Sequence, residues 1–470
     1  MSTFSGISTA LSSLIAQRQA LEVSGQNIAN ANTVGYTRQR ADLTSVEALS
    51  APSLFSTGNG VGNGTRVSGL TRMGDPFLDA RLRATTSSSS FQTAQASALS
   101  RLESTITEPA DTGVSAALQR FWAGWQDVAN SPDKTAARKV LLGDAQALVS
   151  QVSGGYRAVE TQWSQMRTEA ETLVTKVNTA AEAIADLNEQ IRSITVTGGS
   201  ANELIDQRSV LVTELSGLVG ASARERADGT LDVMVAGNAL VRGVNAQQIR
   251  VDGATTMAGG IGEPPKPAAD PVRLAWENST APLTLEGGEI ASHIANLAPG
   301  GVLSGAVDTW NALAAKIAGK VNDIHQPAPP AGTPFFALAG GTPNALGLSV
   351  AITDPADIRA GDPANGGHDG SVADAISQLG TDPDGPDSLW RDFAVGLGVQ
   401  TQAATQRATV LEAARSTAEN LQLSQASVDL DEESVNMLAY QRAYEGAARV
   451  LTAIDEMLDQ LINRTGVVGR

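Results

Sequence analysis

Each end of this chain carries an apolar stripe at heptad spacing. At the N-terminus the stripe runs Phe4, Ile7, Leu11, Leu14, Arg18, Leu21, Gly25 and Ile28, in alternating steps of three and four. At the C-terminus it runs Tyr440, Ala443, Ala447, Val450, Ile454, Met457 and Leu461, in the same steps. A stripe this narrow on a helix is a seam that needs a second helix. Alone, such a helix buries too little to offset the entropy of ordering its backbone. Seams at opposite ends of a 470-residue chain imply that the ends meet each other, or their equivalents in neighbouring copies. That is the logic of an assembly subunit rather than of an enzyme.

Composition narrows the field further. The length calls for two to four domains. Aromatics are only 4% of residues, so long helices meeting through small side chains are expected in place of large aromatic cores. A formal net charge of −17 argues against a nucleic-acid surface, which needs a basic face. With no cysteine there is no disulfide framework, thiol chemistry or cysteine metal site. No run approaches the ~20 apolar residues of a membrane span, so no membrane partner is expected. The first positive charge is Arg18, which does not fit a cleavable signal peptide.

The pattern along the chain predicts a helix over 1–30, ending in the Asn27–Gly35 region where left-handed backbone is tolerated. Residues 36–75 read as extended and turn-rich. Helix is expected from Asp75-Pro76 to about Ile106, then over 113–130 with Leu118, Phe121, Trp122 and Trp125 on one side. Ser131-Pro132 has the form of an N-cap followed by proline at the first helical position. Helix follows to about 196, with Gly154-Gly155 as a possible kink. Beyond it, Tyr156, Val159, Trp163, Met166, Ala170, Leu173, Val177, Ala180, Ile184, Leu187, Ile191 and Ile194 form a rod of ~58 Å at 1.5 Å per residue. Gly198-Gly199 ends it, and Ser200 with Glu203 has the spacing of a capping box for the next helix.

Near 221 the period changes from helical to alternating, as in Leu231, Val233, Val235 and Val272, Leu274, Trp276, with a hairpin signal at Asp228-Gly229. Helix returns over 303–324, residues 326–387 are rich in Pro, Gly and Asp, and the remainder is helical with a break around 425–430. The fold class expected is mainly α with an inserted β domain: terminal helices paired as a coiled coil, a long helical middle domain and an outward β-rich domain. The division is 1–45 plus 425–470, 46–220 plus 300–424, and 221–299.

Few residues invite a chemical reading. The acidic cluster Asp429, Asp431, Glu432 and Glu433 reads as the first turn of the last helix, where negative charge suits the dipole. Asp382, Asp384 and Asp387 match a calcium loop poorly, with the glycine misplaced. The Gly58–Gly64 run lacks the helix and the Lys-Ser/Thr pair of a phosphate loop. Asn322 with His325 reads as structural. No catalytic residue, cofactor site or metal site is assigned. The segment NIANANTVGY (27–36) stands out for its side-chain amides. Asn27, Asn30 and Asn32 can donate and accept where backbone groups need partners, and Tyr36 can anchor the exit.

Several strings resemble a known family. QRQALEVSGQNIANANTVGYTRQR (17–40) resembles the N-terminal signature of the axial proteins of the bacterial flagellum, and VDLDEESVNMLAYQRAYEGAARVL (428–451) resembles their C-terminal signature. Between them DPFLDARLR (75–83), TGVSAALQRFWAGWQDVANSPDKTAARK (112–139), NELIDQRSVLVTELSGLVG (202–220), Pro334-Phe335-Phe336 and DPADIRAG (354–361) are similar, in order and spacing, to the hook-associated proteins that join hook to filament. The match is weakest over 240–300 and 326–333. The resemblance implies a structural subunit of the flagellum, exported without a cleaved signal peptide and located outside the cell. Its implied partners are copies of itself in a ring, the hook protein, a second junction protein on the filament side and an export chaperone at the C-terminal region. The interface residues expected are Phe4, Ile7, Leu11, Leu14, Leu21, Ile28, Asn27, Asn30, Asn32 and Tyr36, with Tyr440, Tyr444, Ala447, Val450, Ile454, Met457 and Leu461. A hook or rod subunit of the same family is the alternative. A glycan-binding or enzymatic module in the β insertion is a remote one, because 221–300 supplies no convincing carboxylate pair.

Overall fold

The computed structural model describes residues 3–47, 62–106, 108–264, 268–279, 281–326 and 333–464. It opens with helix α1 (Thr3–Ala29) and an antiparallel hairpin of β1 (Gln39–Ser45) and β2 (Thr65–Arg72). Helices α2 (Pro76–Ile106), α3 (Val114–Asn130), α4 (Thr135–Val196) and α5 (Asn202–Val219) follow. Strands β3 (Ser222–Glu225), β4 (Leu231–Val235), β5 (Asn238–Arg242) and β6 (Asn245–Ala246) pair in sequence order as one antiparallel sheet. Strands β7 (Ile249–Asp252), β8 (Arg273–Trp276) and β9 (Pro282–Leu283) form a second, with the short helix α6 (Met257–Ile261) between its first two strands. Then come α7 (Glu289–Leu297), α8 (Val302–His325), the small ladder of β10 (Phe336–Leu338) and β11 (Leu348–Val350) around α9 (Asn344–Gly347), and α10 (Ser371–Ser377). Two long helices close the chain, α11 (Pro386–Ala426) and α12 (Leu430–Asp459). The fold is mainly α with β strands inserted between helices.

Helix α4 is the spine of the body, and it serves two hydrophobic cores. Its first half enters an aromatic core with α3, α8 and α11, where Phe121, Trp125, Trp163, Phe335 and Trp390 are buried. The Trp310 and Trp390 rings lie 4.5 Å apart, within the range of favourable ring contacts. Its second half enters an aliphatic core with α5 and the strands, through Val177, Ile184, Val212, Leu215, Val233 and Leu274. The strands of 221–299 therefore bury their apolar face on α4 and α5 and do not close a core of their own. Helices α2 and α11 run side by side in opposite directions: Gln422 reaches Asp79, Ser89 reaches Glu412, and Trp390 reaches Glu108.

Four details differ from the sequence reading. Gly154-Gly155 does not interrupt α4. A Cβ on Gly155 would fall 2.1 Å from the Trp310 ring, so the glycine admits that ring instead of breaking the helix. Ser131-Pro132 does not start α4, because the Ser131 N–H donates to Asp127 O and finishes α3, and α4 begins at Thr135. Ser200 does not cap α5. Ala201 holds the N-cap position without a side-chain bond, and the Asn202 side chain is spent on the β hairpin. Finally, the inward stripe of α4 drifts from strict heptads: Val174 and Asn188 are buried where Leu173 and Leu187 were expected. A straight helix turns every 3.6 residues, so a 3.5-residue repeat loses its face within a few turns.

Candidate assembly interface

Helices α1 and α12 lie antiparallel. Gly6 faces Ile454, and at the other end Ala20 and Ser24 share a small cavity with Asn436 and Tyr440. A Cβ at position 6 would come within 2.9 Å of the Ile454 Cδ1, so the missing side chain makes the hole that this knob fills. The α1 face turned to α12 is not the expected stripe. The buried side chains of α1, covered by α12 and by the β hairpin together, are Ala10, Ala16, Ala20, Ser24 and Asn27, none of them from that stripe. The heptad series Gly6, Ala10, Ser13, Gln17, Ala20, Ser24, Asn27 runs one residue ahead of the large apolar series, on the neighbouring face.

The large residues are left toward the outside. Leu11 is 50% exposed, and Ile7, Leu14, Leu21 and Ile28 are half-buried. On α12, Ala447 and Ile454 are buried and Tyr440 is half-buried, whereas Tyr444, Val450, Met457 and Leu461 are exposed. The Phe4 side chain lies outside the described residues. Two adjacent stripes thus divide the labour. The small one on α1 closes the pair within the chain against Ala447 and Ile454, and the large one is only partly covered, with Leu11 and Ile15 of α1 and Val435, Leu438, Tyr444, Val450 and Met457 of α12 left exposed.

The amide-rich segment is a folding node. The Asn27 Nδ2 donates to Gln39 O at 2.8 Å, and its Oδ1 accepts from Gln39 N at 3.0 Å and from the Tyr36 hydroxyl at 2.9 Å. One side chain thereby folds the chain back from α1 into β1. Burial, then the nearby charges of Asp206, Glu203 and Glu433, push the Tyr36 hydroxyl up to about 12, so it stays a donor. Asn30 bonds locally to Gln26, and Asn32 is exposed. Gly35 turns with φ +79° against Val210 of α5, a conformation and an approach that a side chain would obstruct.

Arg38 was missed by the sequence reading. Its Nε donates to Glu433 at 2.7 Å, and its two terminal nitrogens hold Glu432 at 2.9 and 2.8 Å. Its backbone N–H reaches Ala426 O at 2.8 Å, the end of α11. Asp429 does cap α12, accepting from the N–H groups of Asp431 and Glu432, but the two glutamates behind it are clasped by Arg38. Glu433 is 2% exposed, and its sequence context gave no hint of a partner 395 residues away.

The string NELIDQRS anchors this terminal unit to the body. Asp206 accepts from Thr37 N at 2.9 Å and from Arg72 at 2.5 Å, and Asn202 donates to Gln39 Oε1 and Leu70 O. Arg208 turns the other way, to Asn188 Oδ1 at 2.8 Å and Gly229 O at 2.9 Å. Burial pushes its guanidinium down to about 10. Asn188 in turn donates to Leu231 O and Gly243 O and accepts from Leu231 N.

The other polar clusters have structural partners. Asp382 and Asp384 pair with Lys320 and Lys316 at 2.8 and 2.7 Å. Asn322 bonds both backbone groups of Phe336, and the His325 Nε2 accepts from Arg359 N at 2.9 Å. No helix among the described residues is long and apolar enough to cross a membrane.

Comparison with known proteins fits this geometry at both ends. Residues 7–37 match the family described as flagella basal body rod protein, and 422–464 match the flagellar basal body rod FlgEFG protein C-terminal family. Matches of that kind at both ends mark the class, that of proteins with the terminal domains of flagellar rod proteins. Residues 99–336 match the flagellar hook-associated protein FlgK helical domain. The chain belongs to the flagellar hook-associated protein FlgK family. It is 28% identical to flagellar hook-associated protein 1 of Bacillus subtilis over the full length of both chains. It is 34% identical to the proteins of that name from Salmonella typhimurium and Escherichia coli over 246 residues, or 52% of this chain. That match spans 43% of the Salmonella protein and 44% of the E. coli protein. The flagellar hook junction protein FlgK from Burkholderia pseudomallei shares the fold, with a TM-score of 0.61 at 15% identity, covering 73% of this chain and all of that one.

Proposed function

We propose that this flagellar protein is the structural subunit of the junction between hook and filament, and that copies assemble into a ring through the outward stripes of α1 and α12. The observation that carries the reading is the doubled seam. One stripe is consumed in pairing the ends of a single chain, and beside it larger side chains stay only half-buried or exposed, Leu11 and Ile15 on α1 and Tyr444, Val450 and Met457 on α12. Large apolar side chains left uncovered on both terminal helices need a partner surface, and a head-to-tail contact between copies closes a ring. Residues 1–45 with 425–470 form the inner layer, 46–220 with 300–424 the next, and 221–299 face outward. The role is mechanical, with no catalysis. The hook protein and a second junction protein are the neighbours along the axis. An export chaperone holds the C-terminal region before assembly, and the chain leaves the cell without a cleaved signal.

Deleting the last 40 residues tests the reading in cells by electron microscopy. The expected result is intact hooks without filaments, from a protein whose central region still folds. Filaments still attached to hooks would refute it. A hook or rod subunit, the second reading, would leave cells without complete hooks when the gene is removed.

A further inference from the structure

The geometry points to Arg38 as the residue that sets the register of α12 on α1. The need for such a pin follows from the contact itself. The inner stripe of α1 consists of small side chains repeating every seven residues, at Gly6, Ser13, Ala20 and Asn27. The α12 residues turned toward it, Tyr440, Ala447 and Ile454, also repeat every seven. Small residues offer holes of similar size, so a shift of one heptad meets much the same surface. Apolar contact alone leaves such alternatives close in energy, and a polar contact at one level of the seam decides between them.

Arg38 has the attachments a pin requires. Gln39, the next residue, is bonded through both of its backbone groups to Asn27 at the end of α1. The Arg38 N–H is bonded to the last carbonyl of α11, and its carbonyl accepts from Met73 N. From that fixed base its guanidinium takes two consecutive glutamates in the first turn of α12. A one-heptad slip that brings Ala447 opposite Gly6 moves α12 by about 10 Å along its axis. Both carboxylates would leave the guanidinium. The connection allows the move, because an extended residue spans ~3.4 Å against 1.5 Å in a helix, and unwinding the first turns supplies the length. Charge, not chain length, therefore holds the register. The buried Glu433 carries most of the effect, since an exposed pair such as that to Glu432 is screened.

The test uses the full-length monomer, and its outcome does not depend on whether the chain assembles. The chain has no cysteine, so cysteines at the exposed Gln19 and Arg449 take spin labels alone. Pulsed electron spin resonance on the labelled chain should give one narrow distance. Arg38→Ala and Glu433→Gln should each add a second discrete distance, offset by about 10 Å along the pair axis. Glu432→Gln should add little. Arg38→Lys, which keeps the charge but loses the two-pronged grip, should give a smaller second population than Arg38→Ala. An unchanged single distance in Arg38→Ala overturns the assignment. So does a broad, featureless distribution, which would make Arg38 an anchor with no say over register. If Arg38→Ala fails to fold, as seen in the near-ultraviolet signal of the tryptophan core, the Arg38→Lys population decides by the same criteria.

Discussion

The body and the paired ends of this molecule are built on opposite economies of side chain. In the body, Phe121, Trp125, Trp163, Trp310, Phe335 and Trp390 fill a core threaded by one long helix. At the ends, α1 and α12 meet through Gly6, Ala10, Ala20, Ser24, Ala447 and Ile454, while leucines and valines stay exposed. A core of large rings is complete in one chain. A contact of small side chains brings helices close, and polar fixtures at Asn27, Arg38 and Asp206 tie the paired ends to the hairpin and to the body. The difference teaches where completeness lies: the body is finished by its own sequence, and the ends keep uncovered apolar side chains for the neighbours proposed above.

Breaking the body should have the largest effect on the monomer. Trp125→Ala removes a fully buried ring whose centroid lies 5.0 Å from that of the tilted Phe335 ring, and should cost about 3–5 kcal/mol. Chemical denaturation read by far-ultraviolet dichroism will show it. Next in size is a pH effect. Burial, helped by the Arg359 charge, pushes His325 down from 6.5 to about 4, and its unprotonated Nε2 accepts the Arg359 N–H. The folded state favours the neutral ring, so the associated stability is complete above about pH 6.5 and is lost as the pH falls toward 4. The loss is on the order of 3 kcal/mol. Melting temperatures of the wild type should fall over that window, and His325→Gln should flatten the fall. An equal slope in both proteins would assign the acid sensitivity elsewhere.

What was legible in the sequence tracks the size of the side chains. The helical bounds near 106, 130 and 196 and the break around 425–430 come from apolar periodicity and turn residues, and the structure carries them. The inner stripe of α1 escaped because Gly, Ala, Ser and Asn do not register as hydrophobic. Asn188 escaped because a strict heptad pointed to Leu187, while the true period of a straight helix brings the asparagine inward. Arg38 with Glu432 and Glu433 escaped for a different reason. Nothing local distinguishes a clasped glutamate from one that merely suits a helix dipole, and the partners are joined only by the fold.

Asn188 sharpens the comparison at intermediate scale. Its replacement by Ala strands the Leu231 N–H and removes a partner from the buried Arg208. About 2 kcal/mol of stability should be lost. Asn30, whose bonds stay within its own helix turn near solvent, should lose less than ~0.5 kcal/mol on the same change. Denaturation midpoints of the two variants will rank them. The reverse order would mean that the amides of the terminal unit matter more to the monomer than those of the body.

The smallest expected effect on the monomer is the most telling one. Leu11 and Val450 are half exposed, at 50% and 52%, so Leu11→Asp with Val450→Asp should leave the stability of the isolated chain within about 0.5 kcal/mol of wild type. The same pair puts charge into the outward stripe, where an incoming helix would have to bury it unpaired. Assembly should therefore be lost while folding is kept, read as bare hooks in cells that make normal amounts of protein. Ala20→Leu makes the converse change. It overfills the inner contact, where Ala20 is 1% exposed, and should weaken the docking of α12 in the monomer. Hydrogen exchange across α12 separates the two. Rapid exchange after the outer substitutions would mean that the exposed leucines already hold the pair together, and the division between an inner and an outer stripe would fall.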